Sequence, residues 1–505
     1  MGFFSKLLQR LTGSSSQNSA PVQSQQNRAE YAHGEMESYD AVITRYGDST
    51  EVQFQEQVAK ALRNKGIAQS ERGDYQAALN TFNDVVTRFG ESTEPVLQEL
   101  LARTLLSRAT AQDEHGDPHA EMATYDEIVR RFGASDTPML ASLAARSLLN
   151  KGITLGQLED PKAEMVVYDE IVSRYGDSDE LLLQQWVARA LMNKGITQGQ
   201  QDDSQAEIVT YDELSKRFGA SDDEVLQDQV ARAVVNKGIT QGMLDDHEGA
   251  IVTFDGLIAR YGSFDTEELQ DQIGKALVNK AVALDQLGRH DEEIAVYDEI
   301  IRRFGDSTLP NMQERVAKSL LNKGITQAQA DDFQDALKTY DTLINRYDAS
   351  ASIDVQERIA SAMLNKALLY DQRDEHDKEV ETYDEIIRRF SNSESTYIQE
   401  RVGRSMINKA MVMDQSGDHR KEMALYDEVI QRYSGSPEQA LQEFVARSLM
   451  NSGITLDDMG DLKGAIRSYD ELIKRFGDST DENLQEFVAK ALVNKGAVQG
   501  RLGSA

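Results

Sequence analysis

Residues 267–305 read EELQDQIGKALVNKAVALDQLGRHDEEIAVYDEIIRRFG, and the reading of this stretch decides the fold. Leu269, Ile273, Leu277, Ala281 and Leu284 follow at steps of 4, 4, 4 and 3 residues, a stripe that predicts a helix over Glu267–Leu287. Gly288-Arg-His-Asp291 breaks that helix. A second stripe, Ile294, Tyr297, Ile300, Ile301 and Phe304, predicts a helix over Glu292–Phe304. Gly305 suits a left-handed cap, and Asp306-Ser-Thr restarts the chain with N-cap chemistry.

The hairpin is one of a series. Asn279-Lys-Ala returns at Asn365 and Asn408, and as Asn-Lys-Gly at Asn64, Asn150, Asn193, Asn236, Asn322 and Asn494. Asn451-Ser-Gly and Ser107-Arg-Ala complete the set, and every step is 43 residues. An aromatic keeps the same step from Tyr39 to Tyr469, each followed by Asp or once by Asn83. Residues 30–503 therefore read as ten complete helical hairpins, with half-units at 30–47 and 482–503 expected to cap the ends. Such units cannot bury their faces alone. They stack into an all-α helical-hairpin solenoid with a long concave surface.

The stretch 276–301 resembles a tetratricopeptide repeat: large apolar Leu277, small Ala281 (Gly in most copies), turn glycine Gly288 and second-helix aromatic Tyr297. Ala78, Ala250, Ala336 and Ala465 match the family's small second-helix position. The chain departs from the pattern in its 43-residue length, in the base that follows the Asn (Ser452 excepted), and in Glu at the small position of seven copies, such as Glu164 and Glu293. The resemblance implies a right-handed superhelix whose first-helix residues face a peptide-binding groove.

Composition narrows the function classes. Eighty-six acidic against 54 basic residues leave a net charge of −32, which repels nucleic acid and anionic lipid. No cysteine is present, so disulfides, thiolate zinc sites and thiol catalysis are excluded. No phosphate-loop motif and no nucleophile–base pairing stands out, so the reading is not an enzyme and needs no cofactor. His247, His290, His376 and His419 share one turn position of different units, spaced by on the order of 10 Å per helix layer, too far to share one metal. No metal site is expected. Residues 1–12 carry Phe3, Phe4, Leu7, Leu8 and Leu11 at helical spacing beside Lys6 and Arg10, an amphipathic segment that offers a peripheral membrane contact through residues 1–11. Lys6 stands where a myristoylation motif wants Ser or Thr. Residues 13–29 read as a flexible linker.

Two polar ladders are the binding candidates. One is the asparagine series Asn150, Asn193, Asn236, Asn279, Asn322, Asn365 and Asn408. The other is a base four residues earlier, at Arg146, Arg189, Arg232, Lys275, Lys318 and Arg404, kept at ten of eleven equivalent positions with Ser361 the exception. Residues i and i+4 share a helix face. By the resemblance, the Asn amides clamp the backbone of an extended peptide while the bases hold carboxylates of acidic side chains or a C-terminus. The other reading is an inter-repeat hydrogen-bond ladder that only holds register. The residues one before and three after each Asn read as core. Trp186, at a position that varies between copies, reads as half-exposed. The recurring Arg at the end of the second helix (Arg131, Arg217, Arg303 and counterparts) suits that helix's own dipole. Where the small first-helix residue is Ala, an Asp follows and the Glu form appears, as in Ala109/Asp113/Glu121, Ala281/Asp285/Glu293, Ala367/Asp371/Glu379 and Ala410/Asp414/Glu422. The expected function is a cytoplasmic, non-enzymatic scaffold that takes an extended or helical protein segment in its groove. The alternative is a structural protein that self-assembles through its end repeats.

Overall fold

A computed structural model describes residues 35–504; the expected amphipathic segment and linker lie outside the described residues. Helices fill that range and no strand occurs among the described residues. First helices of the hairpins, here A helices, run from Val52–Glu71 to Glu482–Ser504, each starting 43 residues after the one before. B helices run from Tyr75–Phe89 to Leu462–Phe476 between them, and residues 35–46 form a further B-type helix. In the hairpin quoted above, the A helix is Glu267–Gln286, as the stripe predicts. The B helix His290–Phe304 begins two residues earlier than expected, because Arg289 takes the N-cap place and its carbonyl accepts from the Glu293 N–H.

The chain divides into two compact units, Met1–Gln272 and Ile273–Ala505. Within each unit, A helices pack on their own B helix, on the preceding B helix and on the next A helix, and no packing between B helices occurs among the described residues. Successive hairpins within a unit therefore meet through their A helices and not through their B helices. Buried aromatics such as Tyr125, Tyr168 and Tyr211 lie between the layers, with Ile128, Ile171 and Leu214 one turn on.

Two features close each hairpin. The A–B turn uses one left-handed residue, Gly288 at φ 67° in one copy and Asp245 at 61° in another, followed by a B-helix cap such as Asp246, which accepts from the Gly249 N–H at 3.0 Å. The second feature is close approach of A to B. A Cβ on Gly195 would lie 2.4 Å from Cε1 of Tyr211, and Gly152 meets Tyr168 in the same way.

Two expectations about the loop after the B helix need correction. Gly305 is right-handed (φ −56°), as are Gly90, Gly133, Gly176 and Gly219. The position does not need a left-handed residue, and Ser391 and Ser434 take it in other copies; a Cβ on Gly176 would lie 3.0 Å from the Arg217 guanidinium and one on Gly305 2.8 Å from that of Arg346. Those arginines cap the preceding B helix across the stack. Arg131 donates to Gly90 O at 2.9 Å, Arg217 to Gly176 O at 3.2 Å and Arg432 to Ser391 O at 2.8 Å, each reaching carbonyls at a helix end. The Ser of Asp306-Ser-Thr does not cap the next A helix; its hydroxyl accepts from the Leu309 N–H at 3.2 Å and shapes the loop before Pro310.

Candidate functional site

The two ladders separate once side chains are placed. Each Asn of the ladder has a B-helix tyrosine 25 residues back, except Asn279, where that residue is Phe254. Asn236 donates to the Tyr211 hydroxyl at 3.3 Å and Asn408 to Tyr383 at 3.2 Å. Asn451 donates to Tyr426 at 3.3 Å in the same way, while the amides of Asn150, Asn193, Asn322 and Asn365 work against the burial that raises the pKa of Tyr125, Tyr168, Tyr297 and Tyr340. Asn279 instead donates to Lys275 O of its own helix at 2.9 Å. Where the aromatic is Phe82 and offers no hydroxyl, the Asn position is Ser107, which bonds Arg103 O. One bond leaves each amide with a second N–H and a carbonyl.

Behind the tyrosine lies a buried carboxylate. Tyr125 donates to Glu121 at 2.8 Å and Tyr168 to Glu164 at 2.9 Å, while Thr154 of the next hairpin donates to Glu121 at 3.1 Å. The Glu that replaces the family's small residue thus joins two hairpins through hydroxyls. Burial pushes the Glu121 carboxyl up to about 7, with Asp113 adding to the rise against the two hydroxyl bonds. Its folded form therefore holds a proton that the unfolded chain releases near the ordinary carboxylate range. That advantage is present at low pH and is lost as pH rises through about 7. From about pH 5 to about pH 8, the melting temperature of the wild type should fall more steeply than that of Glu121→Gln, whose amide carries no titrating proton. Parallel slopes in a thermal-melt series would refute this.

The Lys after each Asn pairs with the Asp after each tyrosine, again 25 residues apart: Lys151–Asp126, Lys194–Asp169 and Lys237–Asp212, each at 2.6 Å. The exchange at Asn83 is matched by Arg108, which donates to the Asn83 carbonyl at 3.1 Å and pairs with Glu127 at 2.6 Å. These pairs are partly exposed, so each contributes at most about 1 kcal/mol and mainly specifies register.

The base ladder behaves differently. In the first unit, Arg146, Arg189 and Arg232 converge with Asn150 and Asn193 on one cleft of about 760 Å³. The cleft runs obliquely across successive A helices, from the middle of Pro138–Gln157 to the first turn of the helix that starts at Glu267. Leu149, Ile153 and Met192 supply apolar lining, and Trp186 forms part of the wall. Trp186 is half-buried as expected, yet well anchored: its indole N–H donates to Ser142 Oγ at 2.8 Å, and the Arg189 guanidinium lies 4.7 Å from the ring centre. Glu224, Asp228 and Glu268 line the opposite end, and Asp228 comes within 3.8 Å of Arg232. Among the described residues, Arg146 and Arg189 have no carboxylate within 4 Å. Burial lowers the Arg189 pKa, and the charges of Arg146 and Arg232 lower it further, against the attraction of Asp228.

The second unit brings Arg404 and Asn408 together in a smaller cleft of about 380 Å³, where Glu400 and Glu443 accompany Arg404 and Arg447. Asn365 lines another pocket with Ile325 and Leu368. Lys275 and Lys318 are exposed on the A helices. The two apolar positions flanking the Asn, both expected in the core, differ. Leu149, Met192 and Val235 are buried, whereas Ile239, Met411 and Ile454 three residues after the Asn are exposed. The sequence signal for Trp186 was its being the single tryptophan; its place in the cleft depends on three neighbouring helices.

Models of the tetratricopeptide repeat match residues 244–308, 321–394 and 447–479. The chain carries tetratricopeptide repeats. No curated protein matches it in sequence. Similar solved structures include the apo form of RapI, at 10% identity and TM-score 0.43, covering 72% of this chain and 99% of that one. A structure titled for a phosphorylation switch in the cadherin–β-catenin interaction aligns at 15% identity and TM-score 0.47, covering 93% of this chain and 97% of that one. A signal-transduction ATPase with a tetratricopeptide-repeat sensor from Pyrococcus horikoshii aligns at 10% identity and TM-score 0.41, covering 79% of this chain and 56% of that one. Tetratricopeptide repeats are, as a class, non-enzymatic protein-interaction scaffolds. Among the described residues, no helix of this chain is long and apolar enough to cross a membrane.

Proposed function

We propose that the A-helix cleft of the first unit binds an extended or helical segment of a partner protein, with a carboxylate of that segment held at Arg146 and Arg189. The supporting observation is the pair of guanidiniums that face the cleft without a carboxylate partner, on a chain whose net charge is −32. Leaving two such groups unpaired beside Arg232 is electrostatically unfavourable, and a bound carboxylate relieves it with charge-assisted hydrogen bonds. Leu149, Ile153 and Met192 receive an apolar side chain of the same segment, and Asn150 and Asn193 offer their remaining amide groups to its backbone. No step of this function uses catalysis, and its site is an intracellular scaffold surface.

Trp186 makes the reading testable without labels, because it is the only tryptophan in the chain and stands in the cleft wall. Acidic peptides that bind should shift its emission saturably, and added salt should weaken the binding. A partner that binds with the emission of Trp186 unchanged places recognition elsewhere. A second reading has its own observation: Leu492 and Val493 are 54% and 72% exposed, whereas their counterparts Leu148 and Leu149 are buried. That face supports self-association through the helix Glu482–Ser504, which sedimentation at rising concentration tests as growth in mass.

A further inference from the structure

The histidines at the turn position have their carboxylates inside their own hairpins, not in neighbouring ones. In the second unit, Asp285 at the end of an A helix meets His290 at the start of the B helix and Glu293 one turn further on. Asp371, His376 and Glu379 repeat the arrangement, and so do Asp414, His419 and Glu422. In each set, one ligand atom from each residue lies within 4.8 Å of the other two. We propose that these three sets are cation sites, each taking one divalent transition ion of the zinc class.

The spacing fits. Two ligand atoms on zinc bonds of about 2.0–2.1 Å at a tetrahedral angle stand about 3.4 Å apart. The His Nδ1 to Glu Oε2 distances are 3.4, 3.0 and 3.1 Å in chain order, and His419 Nδ1 lies 3.5 Å from Asp414 Oδ1. The glutamates are held as metal ligands are, by outer hydrogen bonds on the other oxygen. Glu293 Oε1 accepts from Tyr297 at 2.9 Å and from Thr326 at 3.1 Å, while Oε2 faces His290. Glu422 Oε1 accepts from Thr455 at 2.6 Å, with Oε2 toward His419. The Glu is buried, the His half-exposed and the Asp exposed in each set, so the fourth position opens to water. The donor set of one imidazole and two carboxylates suits zinc better than calcium, which takes six to eight oxygens.

The chain carries its own controls. His247 holds the same turn position, but Gly242 and Ala250 replace the two acids. The hairpin of Asp113 and Glu121 has both acids, with Pro118 in place of the histidine. A bound ion would tie the A helix to the B helix across the turn and stabilise those three hairpins by mass action.

Full-length protein, stripped with a chelator and titrated calorimetrically with Zn²⁺, should take up three ions per chain, with a rise in melting temperature. The variant His290→Gln, His376→Gln, His419→Gln keeps a donor for each buried glutamate and so preserves the fold, checked by its helical spectrum. It should lose all three ions, whereas His247→Gln should keep them. Co²⁺ in the wild type should give the visible absorption of a tetrahedral site, absent in the triple variant. No saturable uptake below about 100 µM Zn²⁺, roughly 5.5 kcal/mol, would overturn the proposal. So would uptake that the triple variant retains, which would mark adventitious binding by surface acids.

Discussion

The variant Arg146→Gln, Arg189→Gln, Arg232→Gln is expected to lose partner affinity by about a hundredfold or more while melting close to the wild-type temperature. A hydrogen bond to a charged group contributes about 1.5–3 kcal/mol, and a hundredfold is about 2.7 kcal/mol, so the loss of two guanidinium–carboxylate contacts suffices. Stability should hold because Arg146 and Arg189 make no ion pair among the described residues, and removing their mutual repulsion offsets the loss of the stacking on Trp186. The pair Asn150→Ala, Asn193→Ala should behave in the opposite way if those amides only hold register. Each would then remove a polar neighbour of a buried tyrosine hydroxyl, lowering the melting temperature with affinity unchanged in the folded fraction. Affinity and melting temperature measured on both variants at two salt concentrations separate the ladders. A salt-insensitive affinity, equal in wild type and the arginine variant, would remove the cleft from the function.

The second large effect is structural. Gly195→Ala should destabilise the first unit by about 1–3 kcal/mol, the usual cost of overpacking, because the new methyl would enter the Tyr211 ring at 2.4 Å from Cε1. Tyr211 is fully buried and bonded to Asn236, so the ring cannot swing clear without breaking the inter-hairpin bond. Pairing the substitution with Tyr211→Leu should recover part of the loss, and the double-mutant cycle should show coupling between the two sites. Additive effects would mean that the hairpin relaxes elsewhere. Alanine is native at the matching position of other hairpins, such as Ala109 and Ala410, where it is fully buried and an Asp follows four residues on. The two hairpin types are therefore alternative solutions to the same contact. A residue moved alone from one type to the other lacks its compensating neighbours.

Everything set within one hairpin was legible in the amino-acid order alone. Apolar steps of three and four residues placed each helix. Gly288 placed the turn of the quoted hairpin, and the constant 43-residue step established that every copy turns at the matching position. These are short-range consequences of backbone geometry, legible in one stretch such as 267–305. The partner of each polar side chain was decided only by stacking. Asn236 reaches Tyr211 and Lys237 reaches Asp212 across 25 residues, Thr154 reaches Glu121 across 33, and Arg131 reaches Gly90 across 41. Gly305 illustrates the difference: its residue type suggested a left-handed cap, but in the stack it is right-handed and lies beside Arg346 of the next hairpin. The histidines illustrate it again, since spacing along the chain separated His290 from Asp285 and Glu293 by only a few residues but could not show their side chains converging. Side-chain direction at a turn depends on how the A helix crosses its B helix, and that angle is set by which small residue and which ring meet in the packed interior.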